Sequence, residues 1–155
     1  MRKFLSVKNT ILLLTILLPL ILAGCSSQKK AVLKNEGFEQ GMTSSGGITD
    51  WQRYDYYGKM APDNPYTRFS LVDTENSGKA LCIENMQPND ARLYQHINAA
   101  AKTKYKITAL VKTEGVTEAG AGANISVKDF AGTSSRMTGT KDWTTRTVYV
   151  DVWDV

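Results

Sequence analysis

The chain has 155 residues and a formal net charge of +4, but its charges are unevenly distributed. Three of the 19 Lys and Arg residues lie in the first 24 positions, so the other 131 residues carry 16 basic and 15 acidic side chains and are nearly neutral. A nucleic-acid partner requires a basic face, and the sequence shows none. One histidine, His96, excludes a histidine-rich metal site. The neutral part is long enough for one domain with one core.

The N-terminus has the pattern of an export signal. Arg2, Lys3 and Lys8 form a positive region, and residues 11–23 (ILLLTILLPLILA) form an apolar run. The run has 13 residues, whereas a helix that crosses a bilayer needs about 20. The sequence therefore predicts a helical signal peptide over residues 1–24 that is cleaved from the protein.

Residues 22–25 (LAGC) resemble the lipobox of bacterial lipoproteins. In that family the cysteine is lipidated and becomes the new N-terminus, which here implies lipidation of Cys25. The resemblance predicts an extracytoplasmic protein that contacts the bacterial cell membrane through its lipid anchor only. Residues 25–30 then form a lipidated polar tether. The alternative is an ordinary secretory signal that happens to end at a cysteine.

The rest of the chain reads as all-β. Runs rich in β-branched and aromatic residues alternate with Gly, Asn, Asp, Ser and Pro. Period-two alternation is clearest in residues 104–113, and no sustained helical stripe is visible after residue 30. One buried and one wetter face per strand favours an antiparallel sandwich. The expected strands cover residues 31–34, 51–57, 68–73, 79–85, 91–97, 104–113, 123–128 and 144–152.

Catalytic chemistry has little support in the sequence. No nucleophile motif accompanies His96, which we interpret as an ordinary strand residue, and most acidic residues fall in turns. Phosphate-loop, metalloprotease and EF-hand spacings are absent from the sequence. Cys82 alternates with Ala80 and Glu84 and is interpreted as a small buried apolar residue. We therefore expect a protein that is not itself an enzyme.

Several motifs resemble those of family 4/9 carbohydrate-binding modules. Residues 32–39 (VLKNEGFE) followed by Trp51 are similar to the family's "N-G-x-F-E … W" opening, and residues 77–83 (SGKALCI) to its "sGk-a-L-x-i" strand. Residues 89–97 with 105–112, and residues 139–143 (GTKDW), resemble later motifs in the same order. The resemblance covers residues 31–155 and implies a galactose-binding-like jelly roll and a polysaccharide or glycan partner. We also expect a monomer.

The same resemblance implies one structural calcium ion, held by the Glu39 carboxylate and by the backbone at Gly78 and Lys79. The alternative for Glu39 is a plain surface acid. The family's last strand has no counterpart before Val155. This predicts that the sequence is the front part of a longer protein, such as a glycoside hydrolase whose catalytic domain follows.

The expected binding face combines aromatic rings with polar edges, which suit the C–H faces and hydroxyls of sugars. Arg92 and Tyr94 share one side of a strand, so we expect Arg92 to donate to sugar hydroxyls and Tyr94 to stack. Tyr54, Tyr56 and Asn124 are the expected neighbours. An ion pair between Arg92 and Asp90 or another neighbour remains an alternative, as does a core position for some aromatic residues.

The sequence leaves three functional classes. The first is non-catalytic carbohydrate binding by a membrane-anchored lipoprotein. The second is a cell-envelope adhesion or structural domain that binds protein partners on the same sandwich, because fold does not fix function. A small lipoprotein hydrolase is the third and has the least support.

Overall fold

A computed structural model describes residues 10–14, 32–58, 66–75, 78–130 and 132–153. In these ranges every regular element is a β-strand, and every strand pair is antiparallel. The prediction of an all-β, antiparallel fold is therefore confirmed. The same ranges contain no helix with the length and hydropathy that crossing a bilayer would require.

Strands form where β-branched and aromatic residues cluster, and they end near Gly, Asn, Asp and Pro. The prediction over residues 79–85 matches its strand, whereas the predicted strand over residues 123–128 shortens to two residues. The strands of the described residues are β1 (Thr10–Leu14), β2 (Gln52–Asp55), β3 (Thr67–Asp73), β4 (Lys79–Asn85), β5 (Ala91–Tyr94), β6 (Thr103–Val116), β7 (Ser126–Val127), β8 (Gly132–Thr133) and β9 (Gly139–Val152).

The largest sheet has five strands in the order β3-β4-β1-β6-β9. β6 and β9 have 14 residues each and form its longest pair, with register irregularities on both sides of Thr113. Val148, Val150 and Val152 of β9 are buried in one cluster, while Tyr149 between them is 72% exposed. The alternation shows that this part of β9 turns one face to the core and the other to solvent.

β1 lies in the middle of the five-stranded sheet, between β4 and β6. Leu12 is opposite Leu81 on one side and Val111 on the other, and both of these neighbours are completely buried. The prediction that the signal segment is helical is therefore wrong for Thr10–Leu14. A short apolar run can form a buried strand as readily as a helix, and here it pairs with the backbones of two neighbours.

Other predictions for the N-terminal region lie outside the described residues. These are the remainder of the signal over residues 1–24, the lipidation of Cys25 and the tether over residues 25–30. Cleavage of the signal stays a prediction.

Two short sheets cover the core face of the large sheet: β2 with β5, and β7 with β8. Leu93 of β5 packs against a buried cluster that consists of Leu81 of β4 and of Phe38 and Ile48 from the segment before β2. Residues of the segment after β6 and around β7 and β8 pack against the buried residues of β6 and β9. The core thus lies between the five-stranded sheet and this second, less regular layer.

The segment that precedes β2 is held by Asn35 rather than by strand pairing. The Asn35 carbonyl oxygen accepts hydrogen bonds from the Trp51 indole Nε1 at 3.0 Å and from the Phe38 amide at 3.1 Å. Its side chain accepts from the Gln40 amide and donates to the Thr49 carbonyl. The residues that resemble the "N-G-x-F-E … W" opening therefore build a buried clamp around Phe38 and Trp51.

The expected strand over residues 31–34 is not found at residues 32–34. The Lys34 amide donates to the Gln95 side-chain oxygen at 2.8 Å, and the Lys34 carbonyl accepts from the Gln95 amide at 3.0 Å. Because a side chain satisfies both backbone groups, no neighbouring strand is needed there. The Gln95 amide also donates to the Asp50 carbonyl, so this one residue joins three parts of the chain.

Candidate functional site

The candidate site is the outer surface of the β2–β5 pair. Gln52 is directly opposite Tyr94, and Tyr54 is directly opposite Arg92. Directly opposed residues in an antiparallel pair point to the same side, and so do residues two apart in one strand. All four are classed as exposed, with Tyr54 at 41% and Tyr94 at 36%. We call these four residues the β2–β5 face.

Arg92 is fixed on this face by two contacts. Its guanidinium lies over the Tyr54 ring, 5.7 Å from the centroid, within the range of a cation–π interaction. It also forms a two-point ion pair with Asp90, in which Nε donates to Oδ1 at 2.8 Å and Nη2 donates to Oδ2. The hydrogen bond to Asp90 raises the pKa of the Arg92 guanidinium. The alternative of an ion pair with Asp90 is therefore what the structure shows, and it leaves Nη1 as a donor without a partner among the described residues.

Tyr94 has a second aromatic neighbour in His96. The two rings are 5.5 Å apart and nearly perpendicular, at 87°. His96 is exposed and follows the end of β5, so the predicted strand over residues 91–97 is longer than the observed one. Sequence reasoning treated His96 as an ordinary strand residue and did not consider Gln52. The alternation of Gln52 with Tyr54 is the signal that would have found Gln52.

The reverse side of the β2–β5 pair anchors it to the core. The Arg53 guanidinium lies 5.6 Å from the centroid of the Phe69 ring of β3, and Leu93 packs into the core cluster. Trp51, directly before β2, packs against the buried residues of both β4 and β6. The exposed face is thus carried on a strand pair whose other side packs against the core.

Tyr56 lies in the turn after β2 and not on the ladder itself. Its amide donates to the Asp90 carbonyl at 3.1 Å, and its ring meets Tyr57 edge-on at 5.1 Å. The turn is held by Asp55, which is 2% exposed and accepts hydrogen bonds from the Tyr57 and Gly58 amides. Tyr56 is 60% exposed. Its backbone therefore lies at the Asp90 end of the β2–β5 face, and its ring contacts Tyr57.

Asn124 lies in the other part of the second layer, beside the isolated pairing of Ala123 with Met137. Its side-chain amide donates to the Gly122 carbonyl at 3.4 Å. Within the described ranges it makes no hydrogen bond with a residue of the β2–β5 face. The structure therefore brings together Tyr54, Arg92 and Tyr94 on one face and places Asn124 beside a different strand pairing.

The residues expected to hold calcium make other contacts. The Gly78 carbonyl accepts a hydrogen bond from the Thr74 amide at 2.8 Å, and the Lys79 ammonium is 2.8 Å from the Asp73 carboxylate. The Glu39 carboxylate folds back over Gly37. In the described ranges no group of three or more His, Cys, Asp or Glu side chains is arranged to hold a metal. Calcium at Glu39, Gly78 and Lys79 stays a prediction.

Comparison with known proteins adds no relative. A scan against protein-family models, a search of curated proteins and a search of solved structures each found no match.

Proposed function

We propose that this protein is a membrane-anchored extracytoplasmic lipoprotein that binds a polysaccharide or glycan through its β2–β5 face, without catalysis. The observation that supports this most is the exposed set of Tyr54, Arg92 and Tyr94 on one side of a two-stranded sheet. A jelly-roll sandwich is the proposed architecture, and the two β-layers around one core are compatible with it.

The chemistry of the face suits a sugar. Two tyrosine rings offer flat apolar surfaces of moderate exposure, and their hydroxyls, the Gln52 amide and the Arg92 Nη1 group offer hydrogen bonds around them. Asp90 keeps the guanidinium in place over Tyr54, so the donor is positioned before a ligand arrives. A preorganised site loses less conformational entropy on binding. The proposed ligand is therefore neutral and rich in hydroxyl groups.

The direct test is affinity electrophoresis in gels that contain xylan, β-glucan or bacterial cell-wall glycan. A tyrosine side chain offers about 200 Å² of surface, so the 36% exposure of Tyr94 corresponds to about 70 Å². Covering that area is worth about 1.8 kcal/mol at 25 cal/mol per Å², so Tyr94→Ala is expected to weaken binding by up to roughly 20-fold.

Tyr149→Ala is the matched control, because Tyr149 is an exposed tyrosine on the solvent face of the large sheet. It should leave retention unchanged, and Tyr54→Ala should reduce retention about as much as Tyr94→Ala. The proposal is wrong if no polysaccharide retards the protein, or if all three variants migrate alike. In that case the alternative of an adhesion or structural domain that binds protein partners gains support.

The anchor is tested separately by growing cells with an alkyne-tagged fatty acid. The protein should carry the label, and Cys25→Ser should abolish it. Cys82→Ser is the control, since Cys82 is a buried thiol of β4 and should not affect labelling. Label that survives Cys25→Ser would refute the lipid anchor without affecting the proposal for the β2–β5 face.

A further inference from the structure

The central strand of the large sheet belongs to a segment that the sequence predicts to be removed. β1 is antiparallel to β4 along residues 10–12 and to β6 along residues 10–14. Adjacent strands are about 4.8 Å apart. Without β1, the facing edges of β4 and β6 would therefore be separated by roughly 9.6 Å, with one row of backbone hydrogen-bonding groups exposed on each. We call this space the β4–β6 slot.

The slot is lined as the interior of a sheet. Three consecutive residues of β4 are buried: Ala80, Leu81 and Cys82, at 0%, 0% and 6% exposure. Because successive side chains point to opposite faces of a sheet, β4 is buried on both faces at this point. On the other side Val111 and Thr113 of β6 are completely buried, at 0% exposure each, and the Thr113 hydroxyl has no hydrogen-bond partner among the described residues. The side chains of a strand inserted here would lie beside these buried residues on the faces of the sheet, where a charged group would lose its hydration.

Closure of the slot by direct pairing of β4 with β6 is opposed by the second layer. Because β1 is antiparallel to both neighbours, β4 and β6 run parallel to each other and would have to form a different kind of ladder. Trp51 packs both against the cluster that contains Val111 of β6 and against the cluster that contains Leu81 of β4. Direct pairing of the two strands would therefore require the contacts of this indole to rearrange.

We propose that the processed protein accepts an extended, uncharged, apolar strand from a separate polypeptide into the β4–β6 slot, antiparallel to both strands. The sequence Thr10–Leu14 (TILLL) shows the chemistry that fits: a hydroxyl-bearing residue at the register position opposite Thr113, followed by four aliphatic residues. The added strand supplies backbone hydrogen bonds to both edges, which is the strand-addition mode of peptide recognition. This inference depends on the proposed signal cleavage and not on glycan binding.

The test uses the full chain with residues 26–30 replaced by a specific protease site, so that the domain folds with β1 in place before it is cut. After cleavage, a fluorescent synthetic peptide of residues 8–16 is added in excess. We expect the peptide to replace the released segment and to co-elute with the domain in size-exclusion chromatography. A peptide with Leu12→Pro should not bind, because proline has no N–H to donate and does not fit a central strand.

Three results would overturn the inference. The first is a cut domain that loses its N-terminal segment, keeps its melting temperature and takes up no peptide, since the slot would then close by itself. The second is equal binding of the Leu12→Pro peptide, since the association would not be strand pairing. The third is precipitation of the cut domain to the same extent with and without the apolar peptide.

The same experiment separates this inference from the proposed function. A cut domain that carries Tyr94→Ala should bind the peptide as well as the unsubstituted domain does, because Tyr94 lies on the exposed face of the second layer. In the uncut chain, Leu12→Pro should lower the melting temperature, whereas Leu17→Pro in the same apolar run, beyond β1, should lower it less. Equal effects of these two substitutions would contradict the central position of β1.

Discussion

Substitution of Asn35 provides a sharp test of the clamp that precedes β2. Asn35 is 8% exposed, and its backbone has a φ of +48°, in the left-handed region. Asn35→Ala removes the hydrogen bond from the Gln40 amide at 3.0 Å and the one to the Thr49 carbonyl at 2.8 Å. Each is worth about 1 kcal/mol net, and placing alanine at this φ adds about 1 kcal/mol. The expected loss of unfolding free energy is about 3 kcal/mol.

Asn35→Gly separates the two contributions, since glycine adopts positive φ without strain. It loses the same two hydrogen bonds and should cost about 2 kcal/mol, so it should be more stable than Asn35→Ala. Urea and thermal unfolding followed by circular dichroism measure both variants. For a domain of this size, 3 kcal/mol corresponds to a decrease in Tm of roughly 6–12 °C.

Asn98→Ala is the control, because Asn98 is exposed and follows β5; it should change Tm little. The reasoning is refuted if Asn35→Ala is as stable as the unsubstituted protein. It is also refuted if alanine and glycine at position 35 have equal effects, because the left-handed backbone would then carry no cost.

Three further predictions concern the core. Leu81→Ala, at a completely buried position, should lower the unfolding free energy by about 2–5 kcal/mol in urea titration; a loss below 1 kcal/mol would contradict its place in the core. Burial raises the pKa of the Cys82 thiol above its ordinary 9.0. In a Cys25→Ser variant, iodoacetamide should therefore react with Cys82 much more slowly in the folded protein than in urea, and equal reaction rates would contradict burial. The free energy of unfolding should also fall as the pH rises above 9.0, because the unfolded state then loses the thiol proton more readily than the folded state. Gly122→Ala should be less stable than Gly46→Ala, because both residues have positive φ but only Gly122 has the Met137 carbonyl 2.8 Å from the new Cβ; equal melting temperatures would refute this.

Much of the strand pattern was accessible from the sequence, because burial on one face imposes period-two alternation. Residues 104–113 alternate strongly, and β6 was found there with its buried residues on one side. The same rule placed Arg92 and Tyr94 on one side of a strand, and both lie on the exposed surface of β5. Local alternation depends only on residues that are close in the sequence, so it can be recognised without knowledge of the fold.

Long-range register could not be read in this way. The pairing of Tyr54 with Arg92, and of Gln52 with Tyr94, depends on which residues of β2 and β5 lie opposite each other, and a shift by one residue would reverse the face. Tyr54 was found by its chemistry, whereas Gln52 was missed. The contact between the Trp51 indole and the Asn35 carbonyl joins residues 16 positions apart and is equally invisible in the local pattern.

The strand at the N-terminus could not be predicted for a different reason. Residues 11–23 are uniformly apolar, so they carry neither the period of an amphipathic helix nor that of a half-buried strand. Length and the basic residues before the run favoured a helical signal. The place of Thr10–Leu14 is decided by two strands about 70 and 100 residues later in the chain, with which it pairs.

The edge strand β3 of the large sheet affects how closely copies of this protein can lie without associating. Among the described strands β3 has a neighbour on one side only, and charged pairs sit along it, with Arg68 bound to Glu84 and Lys79 bound to Asp73. Charges on a border strand discourage edge-to-edge association with another molecule. A lipid anchor would concentrate copies of this protein in two dimensions, where collisions between sheet borders are frequent. A border of this kind would let them remain separate at such densities.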